Sequence, residues 1–205
     1  MRLIYGFDPL CGWCYGIVPA MRALREARPD LDIRLTLPGL VQGARVGPYA
    51  EMEGYIRGAS GRLRAVTGRA PSEAFFEAIR RPGMIGDSAP PCLVLAAARE
   101  RDAGKALTLA HLATGAHFER GADLGDPETY PPFLARAGLD MDVPPFDREA
   151  AARLFAAEAA FGIRSFPSLI LEHGGDALLL PTEYAPGRLP ALVDAAAGDL
   201  ARRAG

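Results

Sequence analysis

Residues 7–16 read FDPLCGWCYG, which places Cys11 and Cys14 two residues apart behind an Asp8-Pro9 corner in a chain with three cysteines. Two thiols at i and i+3 suit three kinds of chemistry: a redox dithiol, half of a zinc site, or packing without reaction. Zinc needs two more ligands. The rest of the chain offers only Cys92, His111, His117 and His173, with no second close pair. His111 and His117 are too far apart for an i, i+4 metal pair on one helix face, and each is expected to be an ordinary helix residue, with His173 in a hairpin. Cys92, in PPCLVLAAA, is expected to pack in an apolar helix.

If a helix starts at the pair, the free amides of its first turn and its dipole favour a negative charge at Cys11. Cys11 is then the nucleophile and Cys14, one turn further in, the resolving thiol. Asp8 opposes that charge unless the loop holds its own. Trp13, between the cysteines, is expected to contact substrate, because a short loop offers it little core. A second element is GIRSFPSLIL, residues 162–171, where Pro167 falls at the mouth of an apolar run. Proline there removes one ladder donor, and an X-Pro bond is the ordinary place for a cis peptide, although trans is the commoner form.

The elements that must position these residues follow from pattern. Residues 2–7, RLIYGF, form an apolar run suited to a buried strand. From Cys14 to about Arg28, Ile17, Met21 and Leu24 recur at i, i+4, i+7, an amphipathic helix with Pro19 inside it, where a kink is expected. LDIRLTL, 31–37, alternates as a second strand, so the opening is a βαβ unit. From Val41 to Val143 the sequence predicts no strand and helices over 50–66, 72–80, 89–103, 105–120 and 127–137, the third capped by Ser88. Beyond it come a helix over 147–163 opened by Asp147, the strands SLILEH and DALLL around Gly174-Gly175, and a helix over 187–203.

Composition sets outer bounds. The chain has 205 residues, 49% of them hydrophobic and 23% charged, with a net charge of −2, which leaves no electrostatic footprint for nucleic acid or an anionic membrane. The arginines between Arg57 and Arg81 alternate with Glu73 and Glu77 and read as a solvated face. No phosphate loop, dinucleotide fingerprint or serine-hydrolase elbow occurs. The N-terminus lacks an apolar run of signal-peptide length and no stretch approaches the roughly 18–20 apolar residues of a bilayer span, so the expected location is the cytoplasm.

Together, a strand ending in C-x-x-C on a helix, a helix Pro five residues after the second Cys, and a Pro before a hairpin resemble the thioredoxin superfamily. The helical block between its βαβ and ββα halves resembles the DsbA-like branch, and DPLCGWCYG, DSAPPCLVLAAA and GIRSFPSLIL look like its cytoplasmic, FrnE-like members. The resemblance implies an α/β, thioredoxin-like fold interrupted by an all-helical insertion: 1–40 plus 147–205 as a discontinuous thioredoxin-like domain, 41–146 as the inserted one. It implies a thiol-disulfide oxidoreductase or isomerase with Cys11 and Cys14 as redox pair. Phe166 and a cis Pro167 then dock the substrate, with Trp13 beside them. No cofactor is implied beyond the dithiol, with glutathione a possible co-substrate. The partners are protein or small-molecule thiols and disulfides, and no oligomeric state follows. Two departures stand out. Gly12-Trp13 is neither the Gly-Pro of thioredoxin nor the Pro-His of periplasmic DsbA, and Phe166 is bulkier than the usual residue before the Pro. Rival readings are a glutathione transferase or isomerase of the kappa-class type, which typically keeps Ser where Cys11 stands, and a non-enzymatic peptide-binding module.

Overall fold

The computed structural model describes residues 1–204. Its core is a four-stranded sheet in the order β2-β1-β5-β6, built from β1 (Arg2–Gly6), β2 (Asp32–Thr36), β5 (Ser168–His173) and β6 (Asp176–Leu180). β1 pairs parallel to β2, with Leu3 opposite Ile33, and antiparallel to β5, with Tyr5 opposite Leu169. Leu3, Ile4 and Tyr5 are all buried although they are consecutive. A strand covered on both faces requires that, which is why its sequence is an apolar run and not an alternation.

The parallel β1–β2 connection is α1 (Gly12–Ala27), which runs on through Pro19. Its apolar stripe, Ile17, Met21 and Leu24, is fully buried, and it packs against α8 (Leu189–Ala204), which also lies on β5 and β6. Gly174 and Gly175 turn the β5–β6 hairpin with φ of 62° and 93°, the positive values that side chains disfavour.

Between β2 and β5 the helices are α2 (Glu53–Thr67), α3 (Glu73–Ile79), α4 (Ala89–Arg101), α5 (Ala103–Arg120), α6 (Pro131–Ala137) and α7 (Arg148–Glu158). The expected helices are present, with short 3-10 turns leading into α2 and α6. Asp147 caps α7 as expected, accepting from the amides of Glu149 and Ala150 at 2.7 and 2.8 Å. Two expectations fail. A two-residue antiparallel pair, β3 (Gly47–Pro48) with β4 (Ile85–Gly86), lies where no strand was expected; two residues are too few for any periodicity to show. Ser88 does not cap α4. Its backbone is already helical at φ −76°, ψ −12°, unlike the extended backbone of a capping residue. Its hydroxyl instead accepts from the Val41 amide at 2.9 Å.

α5 packs on both α1 and β2, so the helical segment is laid onto the sheet. α2 comes close to α1 at two glycines: a Cβ on Gly16 would lie 2.7 Å from Thr67 Cγ2, and one on Gly12 3.3 Å from Leu63 Cδ2. That near approach places α2 over the N-terminal turn of α1.

Candidate active site

Asp8 organises the turn that carries the thiols. Its side chain is completely buried, and its oxygens accept from the amides of Leu10 at 2.9 Å and Leu40 at 2.6 Å. Burial pushes its carboxyl up from the usual range, while those hydrogen bonds and Arg45 pull the other way. The loop therefore holds the Asp8 carboxyl by hydrogen bonds. The main chain repeats the anchoring: the Cys11 amide donates to the Asp8 carbonyl at 3.1 Å, and the Thr114 hydroxyl of α5 donates to the Pro9 carbonyl at 3.0 Å.

Cys11 occupies the N-cap position of α1 in extended conformation, with no side-chain cap. Its sulfur therefore makes no bond to the amides of the first helical turn. It lies 3.8 Å from the carbonyl oxygen of Phe166, a residue 155 positions away in sequence, and the Phe166–Pro167 peptide is cis. Cys14, one turn in, is completely buried, and the Asp8 amide donates to its sulfur at 3.5 Å. Burial, then the adjoining Cys11 thiol, push the Cys14 thiol well above its ordinary value. Both thiols are free. The two sulfurs are therefore unlike: one lies in the wall of a cavity beside a carbonyl, the other is completely buried and resists ionisation.

Cys11, with 6% of its surface exposed, is more enclosed than a loop cysteine would be, because it forms part of the wall of a cavity of about 590 Å³. Leu10, Trp13 and Phe166 line the same cavity, and α2 contributes Tyr55, Ile56 and Leu63 to it. The Trp13 ring lies 5.7 Å from that of Tyr184, centroid to centroid. Of the residues singled out in the sequence, Cys11, Trp13 and Phe166 meet at this cavity. Cys14 and Pro167 lie behind its wall. Phe166, Leu40, Arg45 and Arg164 also line a second cavity of about 670 Å³ beside α7, so they stand between the two.

Sequence reasoning missed Tyr184, Arg45, Glu51, Tyr55 and Arg164. Arg164 carried a signal, lying within GIRSFPSLIL, three residues before Pro167. The others sit in a 3-10 turn, at the start of α2 or in the loop after β6, where no periodicity marks a function.

The other candidates are accounted for by packing. Cys92 is completely buried, and burial raises its thiol well above the ordinary value. His117 stacks on Tyr49; its Nδ1 donates to the Ala122 carbonyl at 2.8 Å and its Nε2 accepts from the Tyr49 hydroxyl at 3.1 Å. No group of three potential metal ligands exists among the described residues. Arg57 and Arg80 join Glu53 and Glu73 in surface ion pairs, as the charge pattern suggested.

No protein-family model matches the chain, and no curated protein is similar to it at a significant level. Solved structures are similar. Over 97% of this chain and 99% of the other, the cytosolic disulfide reductase DsbM of Pseudomonas aeruginosa superposes with a TM-score of 0.83 at 27% identity. The same protein solved with glutathione gives 0.77 at 26% identity, over 97% and 100%. A Nitrosomonas europaea protein assigned as a disulfide isomerase shares the fold, at 0.74 and 22% identity over 97% and 98%. These likenesses extend through the helical insertion as well as the sheet. With a C-x-x-C opening α1 and a cis Pro before the hairpin, they give the chain the DsbA-like form of the thioredoxin fold.

Proposed function

We propose that the protein is a thiol-disulfide oxidoreductase or isomerase in which Cys11 exchanges with substrate and Cys14 resolves. The observation that carries this is the difference between the two sulfurs: Cys11 in the cavity wall, 3.8 Å from the Phe166 carbonyl, and Cys14 fully buried behind it. The first turn of α1 offers its amides and the positive end of its dipole to a thiolate at Cys11. That thiolate attacks one sulfur of a substrate disulfide RSSR. The substrate S–S bond breaks, Cys11–S–SR forms, and the first RS⁻ leaves and is protonated. Cys14 then gives up its proton and attacks Cys11 Sγ, expelling the second RS⁻, which is protonated in turn. Two electrons pass from the dithiol to the substrate, and two RSH are released with the Cys11–Cys14 disulfide. The reverse sequence oxidises a substrate dithiol.

No cofactor beyond the dithiol takes part in this scheme. Phe166 supplies a backbone carbonyl to an incoming chain, and Trp13 supplies an aromatic wall. The cytosolic location and glutathione complex of the Pseudomonas aeruginosa reductase support a cytoplasmic enzyme for which a small thiol serves as co-substrate.

Insulin reduction and scrambled-ribonuclease reactivation, run on wild type, Cys11→Ser and Cys14→Ser, test the scheme. Cys11→Ser is expected to fall to background, and Cys14→Ser to accumulate a Cys11 mixed disulfide visible as an added mass. Equal turnover in all three proteins would refute it.

A further inference from the structure

α1 runs on through Pro19, although a proline withholds one backbone donor from a helix. The carbonyl left without that donor lies four residues back, on Tyr15. Tyr15 also closes the turn that carries both thiols, its amide donating to the Cys11 carbonyl at 3.0 Å. The residue is buried, and a buried carbonyl without a partner is costly. Arg69, two residues beyond the end of α2, supplies a donor: its Nη1 reaches the Tyr15 carbonyl at 3.1 Å. The Cζ of the same guanidinium lies 3.7 Å from the centroid of the Tyr15 ring. Its Nη2 meets the Glu119 carboxylate of α5 at 2.6 Å, and the Tyr15 hydroxyl donates to that carboxylate at 3.2 Å. One cation and its counter-ion thus hold Tyr15 by backbone, ring and hydroxyl. The contact of α2 with α1 brings Arg69 to this level: Thr67 Oγ1 accepts from the Arg69 amide at 3.1 Å, and Thr67 Cγ2 faces Gly16.

Resolution makes demands on this turn. The Cys14 sulfur, completely buried, must reach the Cys11 sulfur in the cavity wall, and both are placed by the turn that Tyr15 closes. We propose that Arg69 is a positioning residue for the resolving step: from the helical insertion it supplies the donor that Pro19 withholds, and so fixes Tyr15 and the Cys11–Cys14 turn while Cys14 attacks the mixed disulfide. This inference rests on the thiol-disulfide reading above. Arg69 takes up no proton or electron; it acts through the Tyr15 carbonyl. Ordinary packing and repair of a missing bond have different signatures. The stacked ring and the Glu119 pair hold Tyr15 equally well whether or not residue 19 has an amide. A donor that stands in for that amide matters less once residue 19 can donate.

Reaction with dithiobis(nitrobenzoate), an aromatic disulfide, isolates the step. The Cys11 thiolate breaks its S–S bond, forming a mixed disulfide and releasing one coloured thiolate. Cys14, its proton lost to buffer, then attacks Cys11 Sγ and expels the second, leaving the Cys11–Cys14 disulfide. Stopped-flow absorbance is read for wild type, Arg69→Ala, Arg69→Lys, Pro19→Ala and both Arg69 changes combined with Pro19→Ala, beside urea unfolding of each. With Pro19 present, Arg69→Ala is expected to slow the second release on the order of tenfold and the first far less, with Arg69→Lys milder than Arg69→Ala. In the Pro19→Ala background the same changes should slow the second release about threefold or less, and the loss in unfolding should shrink in parallel. If Arg69→Ala does not fold, Arg69→Lys carries the comparison. Equal slowing in the two backgrounds overturns the proposal, as does equal slowing of both releases. A wild type that releases a single thiolate and forms no Cys11–Cys14 disulfide overturns the thiol-disulfide reading instead. Coupling of Arg69 to Pro19 in unfolding alone would then deny Arg69 a part in the reaction while leaving its bond to α1.

Discussion

At the scale of single residues, Asp8 does the most to hold the turn that carries the thiols. It gathers the Leu10 and Leu40 amides, and Leu40 in turn lines both cavities. Asp8→Ala leaves these buried donors without an acceptor, at about 1–3 kcal/mol for each unsatisfied group, so a loss near 3 kcal/mol is expected in urea unfolding at pH 7. Asp8→Asn retains an acceptor oxygen for one of the two amides, turns its NH2 toward the other and removes a charge that burial disfavours; it should cost less than Asp8→Ala. An equal loss in both would mean that a single remaining acceptor does not hold the loop. The Cys11–Cys14 pair and Phe166-Pro167 stood out in the sequence because thiol spacing and proline placement are local signals. The Phe166 carbonyl against Cys11 did not, since it depends on where a segment 155 residues away returns to the sheet.

Elements were legible in proportion to the strength of their local patterns. β1, α1 and the hairpin emerged from an apolar run, a 3.6-residue stripe and two adjacent glycines, and α7 from Asp147. The β3–β4 pair lacked any such signal, and Ser88 was misjudged because its hydroxyl was taken by Val41. α5 carries a consequence that its sequence hid: both of its histidines are buried. Burial, assisted by Arg22 and other nearby arginines, lowers His111 from 6.5 to about 3, and burial lowers His117 from 6.5 to about 4. A histidine kept neutral in the fold but free to protonate when unfolded contributes stability that is complete above the unfolded value. That contribution is lost as pH falls from 6.5 toward the folded one. Each should add roughly 1 kcal/mol per pH unit to the slope over that window. Asp8, whose carboxyl is raised by burial, acts in the opposite sense as it takes up a proton in the fold. Urea unfolding at pH 7 and pH 5 is therefore expected to show wild type losing more stability than His111→Leu, by about one such increment per pH unit. Identical slopes would show that His111 protonates in the folded protein as readily as in the unfolded one.

For the molecule as a whole, topology and packing divide the chain differently. The proposed division, 1–40 with 147–205 against 41–146, follows the order of elements. The buried cluster ignores it, taking in Leu3 and Tyr5 of the sheet with Phe75, Leu95 and Leu109 of the helices. An ion pair crosses it too. Arg99 of α4 meets Glu158 of α7 at 2.7 Å, both nearly enclosed, while Arg99 also donates to the Leu35 carbonyl of β2 at 2.7 Å. Glu158→Ala strands a buried guanidinium, a change that costs about 3–5 kcal/mol in comparable cases. Calorimetry should record one cooperative transition for wild type and for this variant, the variant melting lower. Two separated transitions would show that the insertion folds as an independent domain. The sequence conveyed the order of the parts but not this fusion, because shared burial is a property of contacts between distant segments. The placement of Trp13 has one more consequence at this scale. It is the only tryptophan in the 205 residues, and it stands between the two cysteines against Tyr184. Nearly all the protein's long-wavelength emission therefore originates beside the Cys11–Cys14 pair, and since a disulfide quenches a nearby indole, oxidation of that pair is expected to be read from the unlabelled molecule as a loss of emission.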